Sequence, residues 1–455
     1  MLFSLPETVS DKKIRVDFNA PDISSNGGLM LLGNMRGTQA WKIGRLIPDL
    51  RRQEFVRHTY MEMVSQRVGQ ILCGYEDAND CDQLRGDSVL KMSVGRKPSD
   101  AELASQPTMT RLENNVGMKT LYKIGRLFVD DYMASFDKAP KKVIIDADDT
   151  NANTYGAQQL TLFNAYYKEY CYMPLLMFDG MTGKLILPLL RPGRRNKSLS
   201  VAKIMIRLME YLHRHWPGTI IELRGDSHFA SHEFMDWAYG KWYVRYITGL
   251  SGNSVLLDLV DKPRRRAEND YAKAQKAEDD RYDTLVRQGH DVRRERVVIR
   301  RYFKLDYKAG TWKHSQRVIA KIEVSADGTN IRFVVTKNKN NSAETIYKHY
   351  CQRGEMELWI KDLKYFKADR MSCSTYRANY FRLFLYAAAF AMAHRMKHTV
   401  FKGTKVEGFT MDSLIKRIML SAVYITEKKT FVSISFSPHH RHLEEMLTAM
   451  SRVAA

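Results

Sequence analysis

Acidic side chains crowd one point of the chain. In Asp146-Ala147-Asp148-Asp149-Thr150 three carboxylates fall within four residues, directly after the apolar run Val143-Ile144-Ile145. A second apolar run, Thr219 to Leu223, leads into Arg224-Gly225-Asp226-Ser227-His228. Both runs read as β-strands, and a carboxylate just past the C-terminal end of a strand lies at the sheet edge where α/β proteins build their sites. Side chains alternate along a strand, so Asp146 and Asp148 share one face and Asp149 points the other way. Acids packed this closely repel one another. A divalent cation removes that repulsion, and hard carboxylate oxygens are what Mg²⁺ prefers.

The third group stands far along the chain, in Tyr350-Cys351-Gln352-Arg353-Gly354-Glu355-Met356-Glu357-Leu358-Trp359-Ile360-Lys361-Asp362-Leu363-Lys364. On a helix turning about 100° per residue, Tyr350, Arg353, Glu357 and Lys364 fall at roughly 0°, 300°, 340° and 320°. They share a stripe about 60° wide, with Glu355 on the far side. A carboxylate flanked by a phenol, a guanidinium and an ammonium suits a metal ligand among groups that grip phosphate oxygens.

These side chains need elements to hold them. Residues 1–140 read as mainly helical, with Tyr60, Met63, Val64, Val68 and Ile71, then Leu112, Val116, Leu121, Ile124 and Phe128, at helical spacing. From 141 to 250 the order is three strands, helix, strand, helix, strand, which suits one mixed sheet with helices on both faces. Residues 251–342 break that rhythm. Lys262 to Arg301 is charge-dense, with 13 basic and 8 acidic residues, and its start, Lys262-Pro263-Arg264-Arg265-Arg266, reads as a flexible, solvated segment; alternating strands follow near Val297–Phe303, Arg317–Val324 and Ile331–Thr336. The chain then reads as helical from Ser342, a candidate cap, to about 397, with a tail over 398–455.

An Asp at the end of a first strand, an Asp after a fourth, and a Glu on a helix behind an insertion is the order of an RNase H-like polynucleotidyl transferase core. Tyr350, Arg353, Glu357 and Lys364 meet the pattern Y-x2-R-x3-E-x6-K without a gap. The chain thereby resembles the DDE transposases of bacterial insertion sequences, and more closely the family founded on insertion sequence 1380. The closer likeness is carried by Gly74-Tyr75-Glu76-Asp77-Ala78-Asn79-Asp80, Leu84-Arg85-Gly86-Asp87, Ser105-Gln106-Pro107-Thr108, Gly156-Ala157-Gln158-Gln159-Leu160, Leu190-Arg191-Pro192-Gly193 and the two Asp motifs. The resemblance implies an α/β fold: an RNase H-like core interrupted by a β-rich insertion, with a helical DNA-binding N-terminal region and a helical C-terminal tail. It implies a catalytic, metal-binding triad of Asp148, Asp226 and Glu357, with Asp146 the alternative for the first position. Two Mg²⁺ ions, or Mn²⁺, are the implied cofactors. Tyr350, Arg353 and Lys364 would hold phosphates. A base flipped out of the DNA would stack on an aromatic, for which Trp312 and Trp359 are candidates. Double-stranded DNA, both transposon ends and target, is the implied partner, and a homodimer on DNA is expected because two ends are joined.

Composition agrees with such a partner. The 455 residues carry a formal net charge of +21, which points to a polyanion. Arg191, Arg194, Arg195 and Lys197 place four cations in seven residues with no acid and form a candidate contact to DNA backbone. With 44% hydrophobic residues, disorder as the dominant state is excluded. The best apolar run, Leu383 to Ala393, is too short for a membrane span of about 20 residues and reads as a buried helix. Five scattered cysteines with no CxxC pair argue against a zinc site or a disulfide framework. No secretory signal is visible at the N-terminus, so a cytoplasmic, nucleoid-associated protein is expected.

Overall fold

The computed structural model describes residues 2–193 and 200–454. Its centre is an eight-stranded sheet built from β1 (Lys142–Asp149), β2 (Leu175–Asp179), β3 (Leu185–Leu189), β4 (Ile220–Gly225), β5 (Val244–Leu250), β6 (Ile299–Tyr307), β7 (Gln316–Ser325) and β8 (Gly328–Thr336), in the order β3-β2-β1-β4-β5-β8-β7-β6. β1, β4 and β5 run parallel, and every other neighbour pairs antiparallel. Val143, Ile145 and Ala147 of β1 and Ile221 and Leu223 of β4 bury on one face. The alternating positions Asp146, Glu222 and Arg224 are also buried, and they put charge on the other face.

The helices that matter here are α1 (Tyr60–Leu72), α2 (Gln106–Asn115), α3 (Met118–Ala134), α4 (Val201–His215), α5 (Asp261–Arg287), α6 (Ala343–Cys351), α7 (Glu355–Tyr365) and α8 (Tyr376–His398). The apolar side of α4, Met205, Leu208, Met209 and Leu212, covers the apolar sheet face. Helix α8 contains the run Leu383 to Ala393 and is buried almost all round, as a helix apolar on every side must be. It packs against α1, α2 and α3, so the N-terminal helices share one core with it. No helix among the described residues is long and apolar enough to cross a membrane.

Charge is buried in that core as well. Glu113 of α2 lies between Arg67 of α1, at 3.5 Å, and Arg382 of α8, at 3.8 Å. Arg382 also bonds Asp77 Oδ1 at 2.7 Å, and Arg370 pairs with Glu76 at 2.9 Å, which gives the Glu76-Asp77 motif a structural use. Glu113→Ala leaves the Arg67 guanidinium in the interior without a carboxylate and removes one of the two that Arg382 has. The expected loss is about 3–5 kcal/mol, read as a lower denaturant midpoint.

Several expected elements differ from those observed. The chain opens on a β-hairpin, Leu2–Val9 with Lys12–Asp17, rather than a helix. Its turn residues Ser10 and Asp11 have φ of 48° and 64°, and the absence of a glycine hid the turn. The tail is helical only in part, since Val423–Glu427 and Val432–Phe436 pair with each other and with Ile23–Ser24. Lys262-Pro263-Arg264-Arg265-Arg266 is not flexible coil. It opens the 27-residue helix α5, whose charges alternate in sign at helical spacing: Arg264 pairs with Asp261 and Glu268, and Arg281 with Glu278. The strands that follow do not stand apart as an insertion sheet, because β8 joins β5 and extends the central sheet. A small second sheet, Ala152–Thr154, Leu162–Asn164, Glu169–Tyr172 and Arg370–Met371, was not expected. Gln158 ties it to the segment leading into α8 by donating to the Met371 and Cys373 carbonyl oxygens at 2.7 and 2.9 Å.

Candidate active site

β1 and β4 are neighbours in parallel register, with Arg224 opposite Asp146, so their C-terminal ends deliver Asp148 and Asp226 side by side. Both line a cleft of about 1410 Å³ with Tyr166, Tyr167, Arg191 and His228. Burial pushes the Asp148 carboxyl above its usual range; the Arg353 guanidinium opposes that shift, and the nearby Asp226 carboxylate adds to it. Asp226 caps the tight turn Ser227–Phe229, its Oδ1 accepting the His228 backbone N–H at 2.8 Å, while His228 Nδ1 lies 3.1 Å from Oδ2. Two glycines make room. A Cβ on Gly225 would meet the Phe229 ring at 2.5 Å. One on Gly249 would stand 2.9 Å from the Ser227 nitrogen and 3.0 Å from the Tyr350 hydroxyl. Gly249 of β5 therefore lets Tyr350 approach the Asp226 turn.

The helix expected from Ser342 onward is interrupted. Ser342 does cap it, accepting from the Thr345 N–H, but α6 ends at Cys351 and a 3-10 turn, Gln352–Gly354, precedes α7. Ile346 and Tyr347 of α6 pack on Ile247, Ile319 and Val334 of the sheet. Met356, Ile360 and Leu363 of α7 enter the core shared with α8. The 3-10 turn thus bridges two packed segments above the charged sheet face. It winds at about 120° per residue, so its three residues turn α7 roughly 60° beyond the uniform helix assumed from sequence.

The four side chains of the stripe meet different surroundings. Arg353 Nη1 donates to Asp148 Oδ2 at 2.8 Å, and Tyr350 and Asp226 both act on the same guanidinium. Lys364 Nζ reaches Asn151 Oδ1 at 3.3 Å, just beyond β1. Glu357 is exposed, and among the described residues it makes no hydrogen bond or ion pair and joins no acidic cluster. Asp146, the alternative first ligand, is fully buried with both oxygens engaged by Arg224 at 2.7 Å. Asp149, on the opposite face, is paired with Arg191, so that cation serves a contact within the chain. Arg194, Arg195 and Lys197 lie outside the described residues. The two candidate tryptophans differ in exposure, Trp359 being only half-buried. Trp312 is buried against Tyr307, and Trp359 sits against Phe178 and Gly183.

Asp148 and Asp226 are hard oxygen donors that face one cleft, and as a pair they fit a divalent cation. The third carboxylate does not join them here: among the described residues no three His, Cys, Asp or Glu side chains cluster closely enough to hold a metal ion.

Residues 6–455 match the family described as transposase DDE domain group 1. The chain belongs to that transposase family. No curated protein matches it significantly. Among solved structures it is similar to the piggyBac transposase in a synaptic complex with hairpin DNA, at 11% identity and a TM-score of 0.44, over 88% of this chain and 80% of that one.

Two features in and beneath the cleft were missed from sequence. Arg224, two residues before Asp226 and buried, was passed over. Phe163, Tyr166 and Tyr170 are exposed at the cleft, and the run Phe163-Asn164-Ala165-Tyr166-Tyr167-Lys168-Glu169-Tyr170 was a compositional signal for them.

Proposed function

We propose that this transposase binds the terminal inverted repeats of an insertion sequence of the 1380 type, cuts the DNA and joins it to a target, with Asp148, Asp226 and Glu357 as its catalytic acids. The observation that carries the reading is the convergence of Asp148 and Asp226 at adjacent strand ends in one cleft. The order β3-β2-β1-β4-β5, with only β2 running against β1, β4 and β5, supports an RNase H-like core. Asp148 rather than Asp146 is the first ligand, because Arg224 already engages both oxygens of Asp146.

Bound Mg²⁺ or Mn²⁺, two ions in this reading, supplies activation of the attacking oxygen and stabilisation of the leaving one. The protein's own part is positioning. Arg353 neutralises Asp148 in the free chain and is the group that exchanges this carboxylate for a DNA phosphate. Tyr350 and Lys364 hold neighbouring phosphates. Glu357 shares with Lys364 one face of α7, and closing that face on DNA is the movement that would bring Glu357 to the two aspartates. Phe163, Tyr166 and Tyr170 give unpaired bases beside the cleft a surface to stack on. A homodimer holds the two ends, on the nucleoid of a bacterial cytoplasm.

A strand-transfer assay with pre-cut ends tests the reading. Joined products are expected, and hydrolysis alone would leave a nuclease in place of a transposase. A phosphate contact also has its own signature. Lys364→Ala should weaken binding about equally on all sequences and reduce the slope of log affinity against log salt by about one.

A further inference from the structure

Beneath the cleft, the sheet face that carries the two acids is charged where an apolar layer would pack. Arg224 and Asp146 are register partners joined by two parallel N–H···O bonds of 2.7 Å, with side chains 1% and 0% exposed. The remaining Arg224 nitrogen, Nη1, donates to the His349 carbonyl oxygen at 3.0 Å and to Gln352 Oε1 at 3.4 Å. His349 continues the network through Nδ1 to Gln352 Oε1 at 3.0 Å and through Nε2 to Glu222, which also accepts from Lys142 Nζ at 3.1 Å. Gly180 closes the space, since a Cβ there would stand 2.5 Å from both Arg224 Nη2 and Asp146 Oδ2.

Every central member is a close chain neighbour of the site. Asp146 precedes Asp148 by two residues, Arg224 precedes Asp226 by two, and Gln352 adjoins Arg353. A buried ion pair adds little net stability, because desolvation of the two charges offsets their attraction. Its planar fork does fix geometry, holding two groups in one plane at one spacing. We infer that the Arg224–Asp146 pair is a positioning strut: it sets the separation of Asp148 and Asp226 and docks the turn bearing Arg353 onto them. This rests on the proposed reading of the site and gives Asp146 and Arg224 a role other than ligand or phosphate contact.

The test replaces both charges by apolar side chains, Asp146→Leu with Arg224→Met, so that no unpaired charge is left inside. Three quantities are measured beside the melting temperature: affinity for end DNA, affinity for Mn²⁺ alone by the paramagnetic resonance of the free ion, and single-turnover cleavage at saturating DNA. A strut predicts unchanged melting and DNA affinity lowered only a few-fold, through Arg353 alone, with cleavage reduced about 100-fold and Mn²⁺ affinity about tenfold, the scale of outer-shell losses at metal sites. Cleavage and Mn²⁺ affinity at wild-type levels in the folded double variant would overturn it. Arg224→Lys, which keeps the charge and loses the fork, gives the same decision if the double variant does not fold: slow cleavage with intact DNA binding supports the strut, and wild-type cleavage overturns it. Asp148→Ala run alongside separates the two readings. If it still cuts, the reading of the site fails and the strut with it; if it is inactive while the double variant cuts normally, the strut alone fails.

Discussion

Asp148→Ala and Asp226→Ala are each expected to abolish DNA cleavage while DNA binding stays within a few-fold of wild type. The two carboxylates are the only groups of the proposed triad that the fold already brings together, each at the end of its own strand. In the proposed reading, losing either removes a ligand from metal chemistry that would supply several kcal/mol of transition-state stabilisation. About 4 kcal/mol corresponds to roughly a thousandfold in rate. Binding survives because phosphate affinity comes from cations, and deleting an acid from the cleft reduces repulsion of the DNA backbone. Asp148→Asn is the cleaner variant, since it keeps the shape that Arg353 Nη1 donates to. The measurement is single-turnover cleavage of an end-bearing duplex beside a mobility-shift titration. Cleavage within tenfold of wild type in either alanine variant would remove that residue from the site.

Glu357→Ala is expected to have an equally large effect on cleavage and almost none on folding. The side chain is exposed and unpaired among the described residues, so its loss should change stability by less than about 0.5 kcal/mol. A residue that contributes nothing to the free fold yet is required for cleavage must act in a state the free chain does not occupy. The comparison that decides is Glu357→Ala against Glu355→Ala, two exposed acids on the first turn of α7. Loss of cleavage in the first alone places Glu357 in the DNA-bound site. Equal activity in both would put the third ligand elsewhere.

The strands of the site were legible because β1, β2, β3, β4 and β5 are short apolar runs bounded by polar turns, and that pattern survives without tertiary information. The choice between Asp146 and Asp148 was not legible. Both lie on one face of β1, and what separates them is Arg224, whose register with Asp146 is set by strand pairing. Arg191 shows the same limit: a cationic loop read as a DNA contact, with its partner Asp149 contributed by another strand. The interruption at Gln352–Gly354 was hidden because its residues keep right-handed helical backbone angles; only the winding tightens. Strands of two to four residues, as in the small sheet, carry too few alternations to be seen.

The continuation of the sheet through β8, β7 and β6 has an evolutionary consequence. Residues 251–342 look like a cassette that recombination could add or delete, yet β8 satisfies the backbone of β5 on the side away from β4. Excising them would leave β5, which carries Gly249 beside Tyr350, as a bare edge open to pairing with other chains. Natural variants of this lineage should therefore lengthen or shorten α5 and the β6–β7 loop freely while retaining β8.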